Sequence, residues 1–267
     1  MTQVGDLARK HRTVVLSALT SLNKGDARPR TLHRLRTHLR RLQAYSELVG
    51  EQANARIMAE CVSHFSPLRT LDVLEAYLMK HCAPISDLKK VRKRIRAKRT
   101  KLHRNQVYAE VRRLVTQHAL PPVPGAENWL NTRMLELREL NSRALRDLAV
   151  HASEDTSRKT LHELRLTLKS VRYQEEWVVR EPLGCPEFVA WLKEAQRILG
   201  EFEELGQFRK LARKWKLDSR EEIERNYSRA RLRAQTLPAE LLERLPITAD
   251  RRLRLVKSDR LEGRLPA

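Results

Sequence analysis

Thr31-Leu32-His33-Arg34-Leu35-Arg36-Thr37-His38-Leu39-Arg40-Arg41-Leu42 and Thr160-Leu161-His162-Glu163-Leu164-Arg165-Leu166-Thr167-Leu168-Lys169-Ser170-Val171 are the two stretches on which the fold turns. The second begins 129 residues after the first, and Thr, Leu, His, Leu, Arg and Leu coincide at matching places. Arg40 stands opposite Lys169, and Glu47 opposite Glu176. Leucine-rich helices match by chance at their leucines, but not readily in the register of His and Arg. The stretches therefore read as two copies of one unit. The expected fold is all-α: a duplicated helical bundle, two pseudo-twofold-related halves of four or more helices each. The expected domain spans 1–245, with a first repeat at about 1–120, a second at about 126–245, and a basic tail over 246–267.

A helix turns about 100° per residue, which places Leu32, Leu35, Leu39 and Leu42 in one core-facing sector of roughly 80°. His33, Arg36 and Arg40 form a second strip about 60° wide beside it, while Arg34 and Arg41 point away. In the second copy His162, Arg165, Lys169 and Arg172 stand at i, i+3, i+7 and i+10, with Tyr173 at the edge. Like charges at such spacing weaken an isolated helix by roughly a few tenths of a kcal/mol per pair. No Asp or Glu falls in either strip, so its cations are expected to be uncompensated and to await an anion. A charged run is ordinarily a solvated face, and a lone histidine at a core border is ordinarily structural. The shared register in both copies sets these residues apart from Arg28, Arg30, Arg34 and Arg41. Neighbouring Arg36 and Arg165 should depress the pKa of His33 and His162, and a bound polyanion should raise it again.

Outward from these stretches, apolar residues recur at helical spacing with little strand-like alternation. Gly25-Asp26-Ala27-Arg28-Pro29 separates helices expected over 4–23 and 30–49. Pro67 opens another over 68–82, and Pro84 a long one to 119. Pro121-Pro122-Val123-Pro124-Gly125 is the strongest interruption and falls near the middle. Helices follow over 127–151, 157–180, 186–200, 205–215 and 219–235, with a short one after Pro238.

The chain has 267 residues, 54 Lys plus Arg against 33 Asp plus Glu, and a formal charge of +21, which calls for a polyanionic partner. Its 41% hydrophobic content excludes a disordered basic tail. No apolar run approaches the roughly 20 residues needed to span a bilayer, and MTQVGDLARKHR lacks an apolar signal core. Three widely spaced cysteines, Cys61, Cys82 and Cys185, argue against a disulfide framework and favour a cytoplasmic location.

Leu88 to Leu102 is the most basic stretch. Its core stripe is Leu88, Val91, Ile95 and Leu102, and Arg94, Lys98 and Lys101 flank it on one side. Those three are further candidates for anion contact. Arg69 and Asp72 are expected to form an ion pair at a helix start. No Gly-x-x-x-x-Gly-Lys or Gly-x-Gly-x-x-Gly cradle occurs, nor a Glu-x-Glu-x-Lys element. Cys61-x-x-His64 has no second ligand pair, so no zinc site is expected. Glu201, Glu203 and Glu204 suit salt bridges between helices better than magnesium, and Trp129, Trp177, Trp191 and Trp215 sit at packing positions. No catalytic residues, no cofactor and no enzymatic activity are expected.

Leu32-His33-x-Leu35-Arg36-x-x-Leu39-Arg40-Arg41-Leu42 and Leu161-His162-x-Leu164-Arg165-x-x-Leu168-Lys169-x-x-Arg172-Tyr173 resemble the twin signatures of the conserved-histidine α-helical domain (CHAD) family. Leu68-Arg69-Thr70-Leu71-Asp72-Val73-Leu74 is similar to the family's first-half Arg-Asp-x-Asp-Val element, and Ala195-Gln196-x-x-Leu199-Gly200-Glu201 to its second-half Gln-x-x-Leu-Gly-Glu element. Gln43, Thr70, Ser170 and Gly206 depart from the family's usual residues. The resemblance covers 1–245 and implies two halves around a basic central cleft that binds inorganic polyphosphate, with a tie to polyphosphate granules. His33, Arg36 and Arg40 would line the cleft from one half, and His162, Arg165, Lys169 and Arg172 from the other. Nucleic acid, RNA or DNA, is the alternative partner, which the net charge alone permits. No membrane association is expected.

Overall fold

Leucines three and four residues apart need a second apolar stripe to cover them, and the chain supplies one in almost every segment. The computed structural model describes residues 3–26, 28–118, 120–123, 129–179 and 184–262. Among these it has ten helices and no strand: α1 (Gln3–Asn23), α2 (Pro29–Leu48), α3 (Gln52–His64), α4 (Ser66–Lys80), α5 (Ile85–Arg104), α6 (Val107–Gln117), α7 (Trp129–Glu154), α8 (Arg158–Val178), α9 (Pro186–Trp215) and α10 (Arg220–Glu262). The all-α expectation holds. The chain divides into two compact units, and two of the three borders between them fall inside α9 and α10. Unit 1 takes in α1 to α6, α9 from residue 204, and α10 to residue 227; unit 2 takes in α7, α8, α9 to residue 203, and α10 from residue 228.

In unit 1 the α2 stripe of Leu32, Leu35, Leu39 and Leu42 is buried to within 2%. Each such leucine contributes about 1.5–3 kcal/mol of burial. α1 meets it with Val4, Ala8, Val15, Ala18, Leu19 and Leu22. α3 was not anticipated: it fits between Gly50, at φ 85°, and Phe65, and buries Ala55, Met58, Cys61 and Val62. The expected long helix after Pro84 breaks at Gln106, whose left-handed φ of 52° reverses the chain between α5 and α6. Asp87, fully buried at the start of α5, accepts the backbone N–H groups of Asp218 (3.0 Å) and Ser219 (2.9 Å) and the Ser219 hydroxyl (2.8 Å). Burial alone would raise its pKa; these donors and Lys90 outweigh burial and hold it below the usual carboxylate value.

In unit 2 the α8 stripe of Leu161, Leu164, Leu168 and Val171 is as buried as its α2 counterpart, and α7 packs on it through Met134, Leu137, Leu145, Ala149 and Ala152. Arg138 of α7 forks onto buried Glu175 of α8, Nε to Oε1 at 2.7 Å and Nη2 to Oε2 at 2.5 Å. α9 runs unbroken through Gly200, where separate helices were expected. Gly200 has no unusual φ and nothing crowds its missing Cβ, so it merely lowers helix propensity. α10 likewise continues through Pro238 and Pro246 to Glu262, where a short helix and an aperiodic tail were expected. Each interior proline costs about 3 kcal/mol, which buried Ala230, Ala234, Leu237 and Leu241 offset at the first of them.

Between α1 and α2, His11 and His38 meet Nδ1 to Nδ1 at 2.8 Å. One neutral ring donates and the other accepts; two imidazolium rings would both be donors. Burial, then His38, then Arg41 lower the His11 pKa to about 3; burial, then Arg41, then Arg34 lower that of His38 to about 4. The unfolded rings take up protons near pH 6.5, the folded ones only below about 4. The pair therefore leaves stability flat above pH 6.5 and erodes it as pH falls toward 4. Between pH 7 and 5 the loss from this pair should be on the order of 3–4 kcal/mol. Urea melts at the two pH values will show it, and His11→Gln with His38→Gln should remove most of the difference. An equal loss in the double variant would clear the pair.

Candidate functional site

The two strip helices begin on the same local device. Asp26 accepts the Thr31 hydroxyl at 2.8 Å and the Arg28 backbone N–H at 3.1 Å. Asp155, 129 positions on, accepts the Thr160 hydroxyl at 2.7 Å and the Ser157 N–H at 2.9 Å. Donation from Arg28 first, then Thr31, holds Asp26 far below the usual carboxylate range; donation from Thr160 and Ser157 lowers Asp155 in the same way. Asp26 and Asp155 stand at the same displacement of 129 residues as the rest of the repeat, a signal present in the sequence that the periodicity of the strips does not include. A second echo lies a few turns on. Gln43 donates to Glu47 at 2.9 Å, and Arg172 to Glu176 at 2.8 Å, each pair four residues apart on one helix. Gln43 keeps the contact of its counterpart without the charge.

On α2, His33 is exposed, and Arg36 and Arg40 are half-buried. Arg36 Nη1 donates to the Val62 carbonyl (2.9 Å) and the Ser66 hydroxyl (2.8 Å), satisfying groups where α3 gives way to α4. Partial burial of the His33 ring, then Arg69, then Arg36 lower its pKa. The direction matches expectation, but Arg69 of α4 acts more strongly than Arg36. Arg69 is thus a cation beside the strip that sequence reasoning assigned to an ion pair with Asp72. Asp72 is instead buried against Arg99 of α5, at 3.3 Å, and burial raises its carboxyl to about 6 against the pull of Arg99 and Arg69.

On α8, His162, Arg165, Lys169 and Arg172 share one half-buried face. The expectation that no carboxylate offsets this strip is overturned at both ends. Glu176 lies one turn beyond Arg172 and takes its Nη1, with Lys193 of α9 at 3.7 Å on the same oxygen. Glu203 of α9 takes Arg158 Nη2 at 2.7 Å and stands 3.5 Å from His162 Nδ1. Arg158 lies one turn before His162 and extends the strip, a signal present in the i−4 spacing. Tyr173, expected at the rim, is buried, and its ring carries the Arg172 guanidinium at 4.1 Å. The ring stacks on a cation and keeps it in place, a role that places Tyr173 beneath the strip.

Arg94, Lys98 and Lys101 occupy α5, which packs on α4 and α6. Arg94 is exposed and lies 5.7 Å over the Trp215 ring; Lys98 is half-buried and Lys101 exposed. Trp177 is buried, whereas Trp191 and Trp215 are half-buried, the former stacked on Phe188; Trp129 is half-buried at the start of α7. Glu201 and Glu203 serve in ion pairs with Arg197, Arg233 and Arg158.

Among the described residues no group of three or more His, Cys, Asp or Glu side chains is placed to hold a metal ion, and no helix is long and apolar enough to cross a membrane. The three cysteines are free thiols, and burial pushes that of Cys61 up to about 12. What the arrangement offers chemically is half-buried guanidinium groups on α2 and, separately, half-buried guanidinium and ammonium groups on α8.

Among curated proteins none matches the sequence. The sequence model of the CHAD domain matches residues 7–213, well over half the chain, from α1 into the last turn of α9 and including α2, α8 and both strips. With the paired signatures and the all-helical architecture, that match establishes that the chain belongs to the CHAD domain family.

Proposed function

We propose that this protein binds inorganic polyphosphate through the cationic strips of α2 and α8, in the cytoplasm and at polyphosphate granules, without chemistry of its own. CHAD domains are associated with polyphosphate binding and are generally non-catalytic. The observation that carries the reading is the recurrence of one register: His33, Arg36 and Arg40 beside one buried leucine stripe, His162, Arg165 and Lys169 beside the other. A linear polyphosphate bears about one charge per phosphate unit, a denser line than single-stranded nucleic acid. Guanidinium groups of Arg36, Arg165 and Arg172 suit its oxygens as planar forks, and Lys169 as a point charge. Each charge-assisted bond nets about 1.5–3 kcal/mol at most, so affinity accumulates over many contacts. Arg94, Lys98 and Lys101 on α5 extend the same surface chemistry.

Competition tests the reading against nucleic acid. Labelled polyphosphate bound to the protein at raised salt should resist displacement by single-stranded RNA or duplex DNA at equal phosphate concentration. Displacement at parity would make the protein a general polyanion or nucleic-acid binder.

A further inference from the structure

Two carboxylates hold the ends of the α8 strip. Glu176, 13% exposed, binds Arg172 and approaches Lys193; Glu203, 9% exposed, binds Arg158 and stands beside His162. Three cations, with the His162 ring beside them, thus converge on two poorly solvated acids in unit 2. Resting on the polyphosphate reading above, we infer that Glu176 and Glu203 are competitor anions built into the site. Each occupies a cation that a phosphate would take, and each keeps the strip's affinity below what its cations alone would give.

Two effects of opposite sign decide whether such a carboxylate helps or hinders. It can orient its cation for the ligand, or it can repel the ligand and hold the cation back. Arg172 does not depend on Glu176 for its orientation, because its guanidinium rests on the Tyr173 ring and its stem is mostly buried. Arg158 and His162 sit on α8, whose first turn is fixed by the Ser157 cap and by the Asp155–Thr160 hydrogen bond regardless of Glu203. The Arg172 guanidinium on its ring, and the backbone that carries Arg158 and His162, are therefore retained when either acid loses its charge. Repulsion is not weak, because a charge this far from water is poorly screened. Competition wins, and a polyanion must displace two internal carboxylates before it gains every contact of the strip.

The experiment measures binding of end-labelled linear polyphosphate over a salt series to the full-length wild type, Glu176→Gln, Glu203→Gln and Glu194→Gln. Glu194 is an exposed partner of Arg197 on the same α9 and controls for net charge. Glu176→Gln and Glu203→Gln should each tighten binding by about tenfold, as expected of one poorly screened charge beside the ligand. The slope of log Kd against log salt should steepen by about one contact in each. Glu194→Gln should change little. Weaker or unchanged binding in the first two, or an equal gain in Glu194→Gln, overturns the inference while leaving polyphosphate binding itself standing. A wild type that fails to bind polyphosphate overturns the functional reading and this inference together.

Discussion

Replacing Arg165, Lys169 and Arg172 together by alanine will weaken polyphosphate binding by about 100- to 1000-fold, the equivalent of about 1–1.4 kcal/mol from each half-buried cation after screening. Arg34, Lys89 and Lys93 are the matched control: three cations on α2 and α5, all exposed. Their removal takes away the same formal charge but should cost less than about tenfold, because exposed charges act through a screened field. Titration calorimetry or a fluorescence assay decides, with melting temperatures confirming that both triples fold. Equal losses would mean that the α8 strip attracts polyanions only as part of the charge of +21 and is not a site.

The largest effect on stability is expected at Arg138 and Glu175. The carboxylate is 1% exposed and the guanidinium 15%, with two short hydrogen bonds between them. Arg138→Ala strands a buried negative charge and should cost about 3–5 kcal/mol, lowering the melting temperature by about 10 °C for a chain of this size. Arg138→Met combined with Glu175→Leu removes both charges and should recover most of that loss, since the pair's own attraction little more than offsets its desolvation. A double variant as unstable as the single one would show that the fork specifies packing beyond its charge balance.

The parts of the fold written in local spacing were legible in the sequence. The leucine stripes of α2 and α8 follow from positions three and four apart, and their burial matches residue for residue. Helix ends were legible where glycine marks them, at Gly25, and opaque where Gln106 takes the same left-handed turn at a cost only tertiary contacts repay. The site divides the same way. Glu176 stands four residues, one helical turn, beyond Arg172, so the spacing on α8 itself reveals it. Glu203 is 41 residues from His162 in the chain, and Arg69 reaches His33 from another helix, so no periodicity reveals either. A charge strip read on one helix omits whatever its neighbours bring to it.

Asp87 sets a condition on how this protein can be made. A ribosome releases the N-terminus first, yet the donors to Asp87 lie 131 and 132 residues downstream. His81 waits in the same way for Glu222, and Tyr77 for Asn226. The first half of the chain thus leaves the exit tunnel with a carboxylate that cannot be buried without a large penalty. Unit 1 closes only after α7, α8 and most of α9 have been synthesised. A gene truncated after residue 123 therefore encodes an unfinished bundle, not a half-sized binding protein.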